Sequence, residues 1–144
     1  MDILQIDKTN IKSIGEFIKA YKNGCEDLVS IFNGTLSRQD VSKEWTKFII
    51  KNDAVIKSIV IDCQKGIVTD ITFFGLLDIT FADLVALFGE SVERFERYDD
   101  TFEFSFRRDA SNAEYSIKCF VLYDDKQKAN WQNENLGNIS IHLG

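Results

Sequence analysis

The chain has no proline and only eight glycines in 144 residues, which excludes a disordered or loop-dominated protein and predicts mostly regular structure. Histidine is almost missing as well, since His142 is the only one. A Ser-His-Asp or Cys-His arrangement has no other imidazole to use. Ile139, Ile141 and Leu143 alternate with His142, so its side chain is expected to point to solvent. The sequence contains no glycine-rich phosphate loop, dinucleotide fingerprint, H-E-x-x-H, C-x-x-C or calcium-loop pattern. No catalytic residue, metal ligand or cofactor is therefore assigned. No stretch approaches the roughly 18 apolar residues needed to cross a bilayer, and MDILQIDKTNIK lacks the basic start and apolar core of a secretory signal. A cytoplasmic location without membrane contact is the expectation. The three cysteines, Cys25, Cys63 and Cys119, are odd in number, far apart and set among apolar residues. They read as reduced packing residues in place of disulfides or zinc ligands.

Charge is scarce in one sign and one place. Residues 1–72 carry ten basic and ten acidic side chains, residues 73–144 seven and thirteen, so the whole net charge of −6 lies in the second half. Nucleic-acid binders need a basic footprint, and no stripe of Lys or Arg interleaved with aromatics occurs, so DNA and RNA are not expected as direct ligands. A partner with a basic surface is instead steered toward the acidic half.

What is present is an ordinary globular composition, 44% hydrophobic, at a length that suits one core. With no repeat, linker or composition boundary, residues 1–144 read as a single α+β domain. Ile11, Ile14, Phe17, Ile18 and Tyr21 recur at helical spacing behind Thr9 or Asn10 as a cap, with Gly24 as a stop. Leu28, Ile31 and Phe32 suggest a second short helix. Ser37 and Asp40 resemble a capping box opening a longer helix, with Val41, Trp45, Phe48 and Ile49 on one stripe. Next come two alternating runs, Val55 to Cys63 and Ile67 to Phe73, joined at Gln64-Lys65-Gly66 as a hairpin over 54–74 that sets Cys63 opposite Ile67 and Ile61 opposite Thr69. Thr80 and Asp83 form another capping box, with a helix over 80–88 that Gly89 stops. Strands follow at 92–98, 101–107, 114–123 and 137–143. A turn at Asp109-Ala110-Ser111-Asn112 sets Phe106 opposite Tyr115 and Phe104 opposite Ile117. The expected architecture is α+β, in the order α-α-β-β-α-β-β-β-β, with N-terminal helices on one face of a mainly antiparallel sheet.

One pattern recurs, Tyr98-Asp99-Asp100 and Tyr123-Asp124-Asp125. Aspartates suit turns, and both triplets fall where strands end. If 92–98, 101–107 and 114–123 form a meander, the first and third strands run the same way and both triplets emerge at one end. Trp131 follows in the segment leaving that rim. Aromatics beside charge make interface hot spots, so Tyr98, Asp99, Asp100, Tyr123, Asp124, Asp125 and Trp131 are the candidate partner-binding residues. Phe73-Phe74-Gly75-Leu76-Leu77 is an apolar run read as core under the helix, or as a contact patch if exposed.

In its acidic second half, its two Tyr-Asp-Asp rims and Trp131, the chain resembles the small acidic immunity proteins that accompany bacterial polymorphic and contact-dependent toxins. The resemblance implies a non-enzymatic antitoxin that neutralises its toxin by direct binding, the partner being a basic protein such as a nuclease-type toxin. It transfers no individual residue. The alternative is a small-ligand-binding or carboxylate-dependent enzyme domain with its site between sheet and helices.

Overall fold

In the computed structural model, which describes residue 3, residues 5–106 and residues 115–143, the first helix, α1 (Ile11–Lys19), starts behind Asp7. The Asp7 carboxylate accepts hydrogen bonds from the backbone N–H groups of Thr9 and Asn10 and from the Thr9 hydroxyl. The Thr9 hydroxyl does most to hold this carboxyl below its ordinary range. Asn10, at the cap position, turns back instead and accepts from the Asp7 N–H. The apolar stripe buries Ile11, Ile14 and Ile18, each contributing about 1.5–3 kcal/mol. Gly15 lies against the Tyr115 ring, where any side chain would collide. A short second helix, α2 (Cys25–Ser30), buries Leu28 and Val29.

The helix expected from Ser37 is not there. Thr35–Asp40 and Trp45–Lys51 form an antiparallel hairpin, β1 and β2, turned where the Val41 N–H donates to the Trp45 carbonyl. The stretch 45–50 is Trp-Thr-Lys-Phe-Ile-Ile, and such aromatic and β-branched side chains lose rotamer freedom in a helix but pack well on a pleated surface. Alternation of Phe48 and Ile50, both buried, prevails over the helical stripe of Val41, Trp45, Phe48 and Ile49.

The next two strands, β3 (Ile56–Gln64) and β4 (Ile67–Gly75), form the expected hairpin with a different register. Gln64 faces Ile67, so the turn holds only Lys65 (φ 53°) and Gly66 (φ 78°), two left-handed residues whose twist suits a two-residue connection. A bulge beside Asp62 and Cys63 then inserts Thr69. Its consequence is a change of phase: Val68 goes inward at the turn, Ile71 and Phe73 beyond it, and Ile67 is exposed. Ile61 therefore faces Ile71, where the simple register would have placed Thr69.

Helix α3 (Phe81–Phe88) opens with the predicted reciprocal cap: the Thr80 hydroxyl accepts from the Asp83 N–H at 3.1 Å, and the Asp83 carboxylate accepts from the Thr80 N–H at 3.0 Å. The remaining strands are β5 (Ser91–Glu96), β6 (Thr101–Phe106), β7 (Ser116–Leu122) and β8 (Asn138–His142). They join the first four in one antiparallel sheet ordered β1-β2-β3-β4-β8-β7-β6-β5. The last strand is thus inserted at the centre, between β4 and β7. Phe106 faces Ile117 and Phe104 faces Cys119, two residues along from the expected register. A shift of two keeps every side chain on its face. The turn proposed at Asp109–Asn112 lies outside the described residues.

Inward-facing Ile59, Ile61, Ile71, Phe73, Ile117, Cys119, Ile139 and Ile141 form the core with Leu28 and Leu84. Contacts from α1, α2 and α3 fall on this same face. The Tyr115 hydroxyl donates to the Lys12 carbonyl, Phe32 meets Phe73 edge-on, and Phe81 meets Phe104 and Phe106. One expectation is overturned here. Cys25, at the start of α2, and Cys63, near the end of β3, form a disulfide. Docking of α2 on the sheet brings their Cα atoms to 6.5 Å, within bridging range, a proximity that a spacing of 38 residues does not reveal. Only Cys119 is free, and burial pushes its thiol up to about 12.

Candidate functional site

Strand β6 pairs antiparallel with both β5 and β7, so β5 and β7 run the same way and the two Tyr-Asp-Asp triplets leave the sheet at one end. The first is a tight connection between β5 and β6, with Asp100 in the left-handed region at φ 52°. The second begins a one-turn helix, α4 (Tyr123–Lys126). They touch directly: the Tyr123 N–H donates to the Asp100 carbonyl at 2.8 Å. Tyr98 is fully exposed, and Asp99, Asp100 and Asp124 are exposed beside it.

Packing behind this rim is aromatic. The Tyr123 ring stacks on Phe102, with centroids 6.1 Å apart and an interplanar angle of 17°, and meets Phe95 edge-on. Lys126 lies 4.2 Å from the centroid of Phe102 and pairs with Glu93, an attraction between ammonium and ring face that fixes α4 against the sheet. Asp125 is half-buried and pairs with Lys128 at 3.0 Å, so it adds less free charge than its three fellows. Trp131 is the exception among the candidates. It is half-buried behind the rim, 4.8 Å from Phe81 and 5.5 Å from Phe104 between ring centroids. Six of the seven candidate residues thus share one edge, and Trp131 packs instead on Phe81 and Phe104.

The opposite face of the sheet holds a second polar grouping. His142 does not simply point to solvent: its Nδ1 lies 2.8 Å from Oδ1 of Asp70, its cross-strand partner. Asp70 in turn faces Asp62, whose Oδ1 accepts from the Trp45 indole N–H at 2.9 Å. Burial raises the Asp62 carboxyl above its ordinary range, the Trp45 bond opposing this and Asp70 adding to it. Next to them the Thr72 hydroxyl donates to Ser140 at 3.0 Å. His142, Ser140 and Asn138 do alternate in the sequence, which is the local signal for a polar face. The partners of His142 and Ser140 lie some 70 residues away and come within reach only through the central position of β8.

The apolar run 73–77 divides by alternation: Phe73 and Leu77 are buried, while Phe74 and Leu76 are exposed. Among the described residues no group of three or more His, Cys, Asp or Glu side chains is arranged to hold a metal ion. Nor is any described helix long and apolar enough to cross a membrane.

The class this defines is an antiparallel eight-stranded α+β sheet with an acidic, aromatic rim at one corner. No family model matches the sequence, and no curated protein matches it. A solved structure with a similar fold is that of a DUF4309 family protein, YjgB, from Bacillus subtilis. It superposes with a TM-score of 0.50 at 8% identity, covering 96% of this chain and 98% of that one. At that identity the likeness concerns the fold.

Proposed function

We propose that the chain is a non-enzymatic binding module whose acidic rim docks a basic protein and, in the role its resemblance implies, occludes a toxin. The observation that carries this reading is the hydrogen bond from Tyr123 to Asp100, which fastens two separate Tyr-Asp-Asp triplets into one surface. Three exposed carboxylates and the free Tyr98 ring there combine long-range attraction for a cation-rich partner with an anchor that can be desolvated on contact. Exposed Phe95 and Leu122, near the same end of the sheet, add apolar area beside it. The test replaces Asp99, Asp100, Asp124 and Asp125 by Asn together. Capture from cells of origin on immobilised protein should recover a basic protein on the wild type and not on the variant. Its association with the wild type should slow as salt rises, while the variant folds normally. Equal recovery of every protein on both would overturn the reading.

A small-molecule site on the open face is a second reading, favoured by the Asp70–His142 pair. Stabilisation in a thermal-shift panel of metabolites, lost in His142→Gln, is its expected signature, and no stabilisation by any of them rejects it.

A further inference from the structure

Strands β7 and β8 do not stay paired. Ser116 faces His142, Ile117 faces Ile141 and Lys118 faces Ser140, and there the ladder ends. Continued, this register would set Phe120 opposite Asn138. The backbones have parted by that point, and the Asn138 side chain spans the gap: its Oδ1 accepts from the Phe120 N–H and its Nδ2 donates to the Phe120 carbonyl, both at 2.8 Å. Two residues before Asn138, Leu136 gives its N–H to the Ile79 carbonyl at 2.8 Å, and Asn135 bridges to Thr80. The chain before β8 has therefore turned away toward the cap of α3.

That space is a groove of about 260 Å³ lined by Phe120, Leu122, Asp125, Trp131, Glu134 and Asn138, among others. Its lining brings together two aromatic residues, Phe120 and Trp131, and two acids, Asp125 and Glu134. Acceptors beside ring faces suit a planar cation with several donors. A guanidinium has five donors in one plane, stacks on aromatic faces and is weakly hydrated, whereas an ammonium is a compact, strongly hydrated charge. One of its acids already pairs with a cation at the groove's edge. Lys128 lies 3.0 Å from Asp125, and attraction to Asp125, Glu134 and Asp124 holds its ammonium above the ordinary range. That lysine is well exposed on a flexible stem, so a better-fitting guest can take its place.

We propose that the groove between β7 and the chain entering β8 is an anchor pocket for an arginine side chain of the partner, its guanidinium displacing Lys128 from Asp125 and lying against Trp131 or Phe120. The proposal rests on the basic-partner reading above and gives it a specific residue type. Its test needs no partner. N-acetyl-arginine amide is titrated into the full-length protein while the Trp131 indole and Asn138 carboxamide resonances are followed, with N-acetyl-citrulline amide as the uncharged match in shape. Saturable shifts with arginine alone are expected. Lys128→Ala should tighten binding several-fold, and Asp125→Asn with Glu134→Gln should weaken it about tenfold. Equal shifts with citrulline, or no saturation by either probe in the wild type and in Lys128→Ala, would overturn the pocket. Unchanged resonances far from the groove show that each variant is folded. Asp99→Asn, Asp100→Asn and Asp124→Asn together, with Asp125 kept, separate the two readings: arginine binding with capture undiminished in this variant defeats only the rim, and capture lost in it without arginine binding by the wild type defeats only the pocket.

Discussion

The two halves of the sheet are held by different means. In β1–β4 the inward side chains are mostly isoleucines, and the outermost strand, β1, exposes all six residues, so its hairpin has little burial of its own. The Cys25–Cys63 bridge encloses that whole hairpin within its loop. In β5–β8 no bridge exists among the described residues, and the interior is aromatic: Phe81, Phe104, Phe106 and Trp131 pack together, and Phe95, Phe102 and Tyr123 carry the contact outward to the rim. Covalent closure stands in for area in one half. In the other, large rings span from core to surface, so the elements that stabilise the fold also present the candidate interface.

Breaking each half separately tests this division. The largest effect is expected for Phe106→Ala, fully buried beneath α3, which should cost about 3–5 kcal/mol in urea unfolding. Its amide exchange should accelerate first in β5–β7 and α3; uniform acceleration through β1–β4 would show one cooperative unit. Next, reduction of the disulfide or Cys25→Ser should cost about 4 kcal/mol at most, from the entropy of closing a loop of 38 residues. Faster exchange should then be confined to α2 and the β1–β2 hairpin. A native protein with two freely titrating thiols in place of the bridge would contradict the pairing itself. Such a bridge also sits poorly with the cytoplasmic expectation, because disulfides persist mainly in oxidising compartments.

The smallest effect concerns Asp62. Burial holds its carboxyl above the ordinary aspartate range, so the folded state binds this proton more tightly than the unfolded one. The stability this supplies is complete below the unfolded value and is lost as pH rises through the folded one. Asp62→Asn, which keeps an acceptor for Trp45, should therefore raise Tm at pH 7 by a small margin that vanishes toward pH 3. A lower Tm at pH 7 would mean that the charge itself is needed beside Lys47.

How much of this was legible depended on range. The Thr80–Asp83 cap is written within a few residues and was readable, and so was the place of the turn after β3, although its length was read as three residues, Gln64-Lys65-Gly66, where two suffice. The shared end of the two triplets was readable too, because a meander fixes strand directions whatever its register. The β1–β2 hairpin was misread because Val41, Trp45, Phe48 and Ile49 satisfy a helical stripe while Phe48 and Ile50 satisfy a strand, and only tertiary packing decides between them. Thr69 carries no mark of being a bulge. The insertion of β8 beside β4 is a pairing across some 70 residues, and with it go the Asp70–His142 contact, the parting at Asn138 and the groove. None of these follows from a local pattern.

Cys119 gives β7 a property of its own. Its side chain is wholly enclosed, and with the thiol pushed up to about 12 almost none is ionised at pH 8. Alkylating reagents attack the thiolate, so in the intact fold this sulfur is silent. It becomes reactive only when β7 separates from its neighbours. Since Phe120, the next residue, lines the groove, the rate at which an alkylating reagent marks Cys119 is a built-in clock for how often that part of the sheet opens.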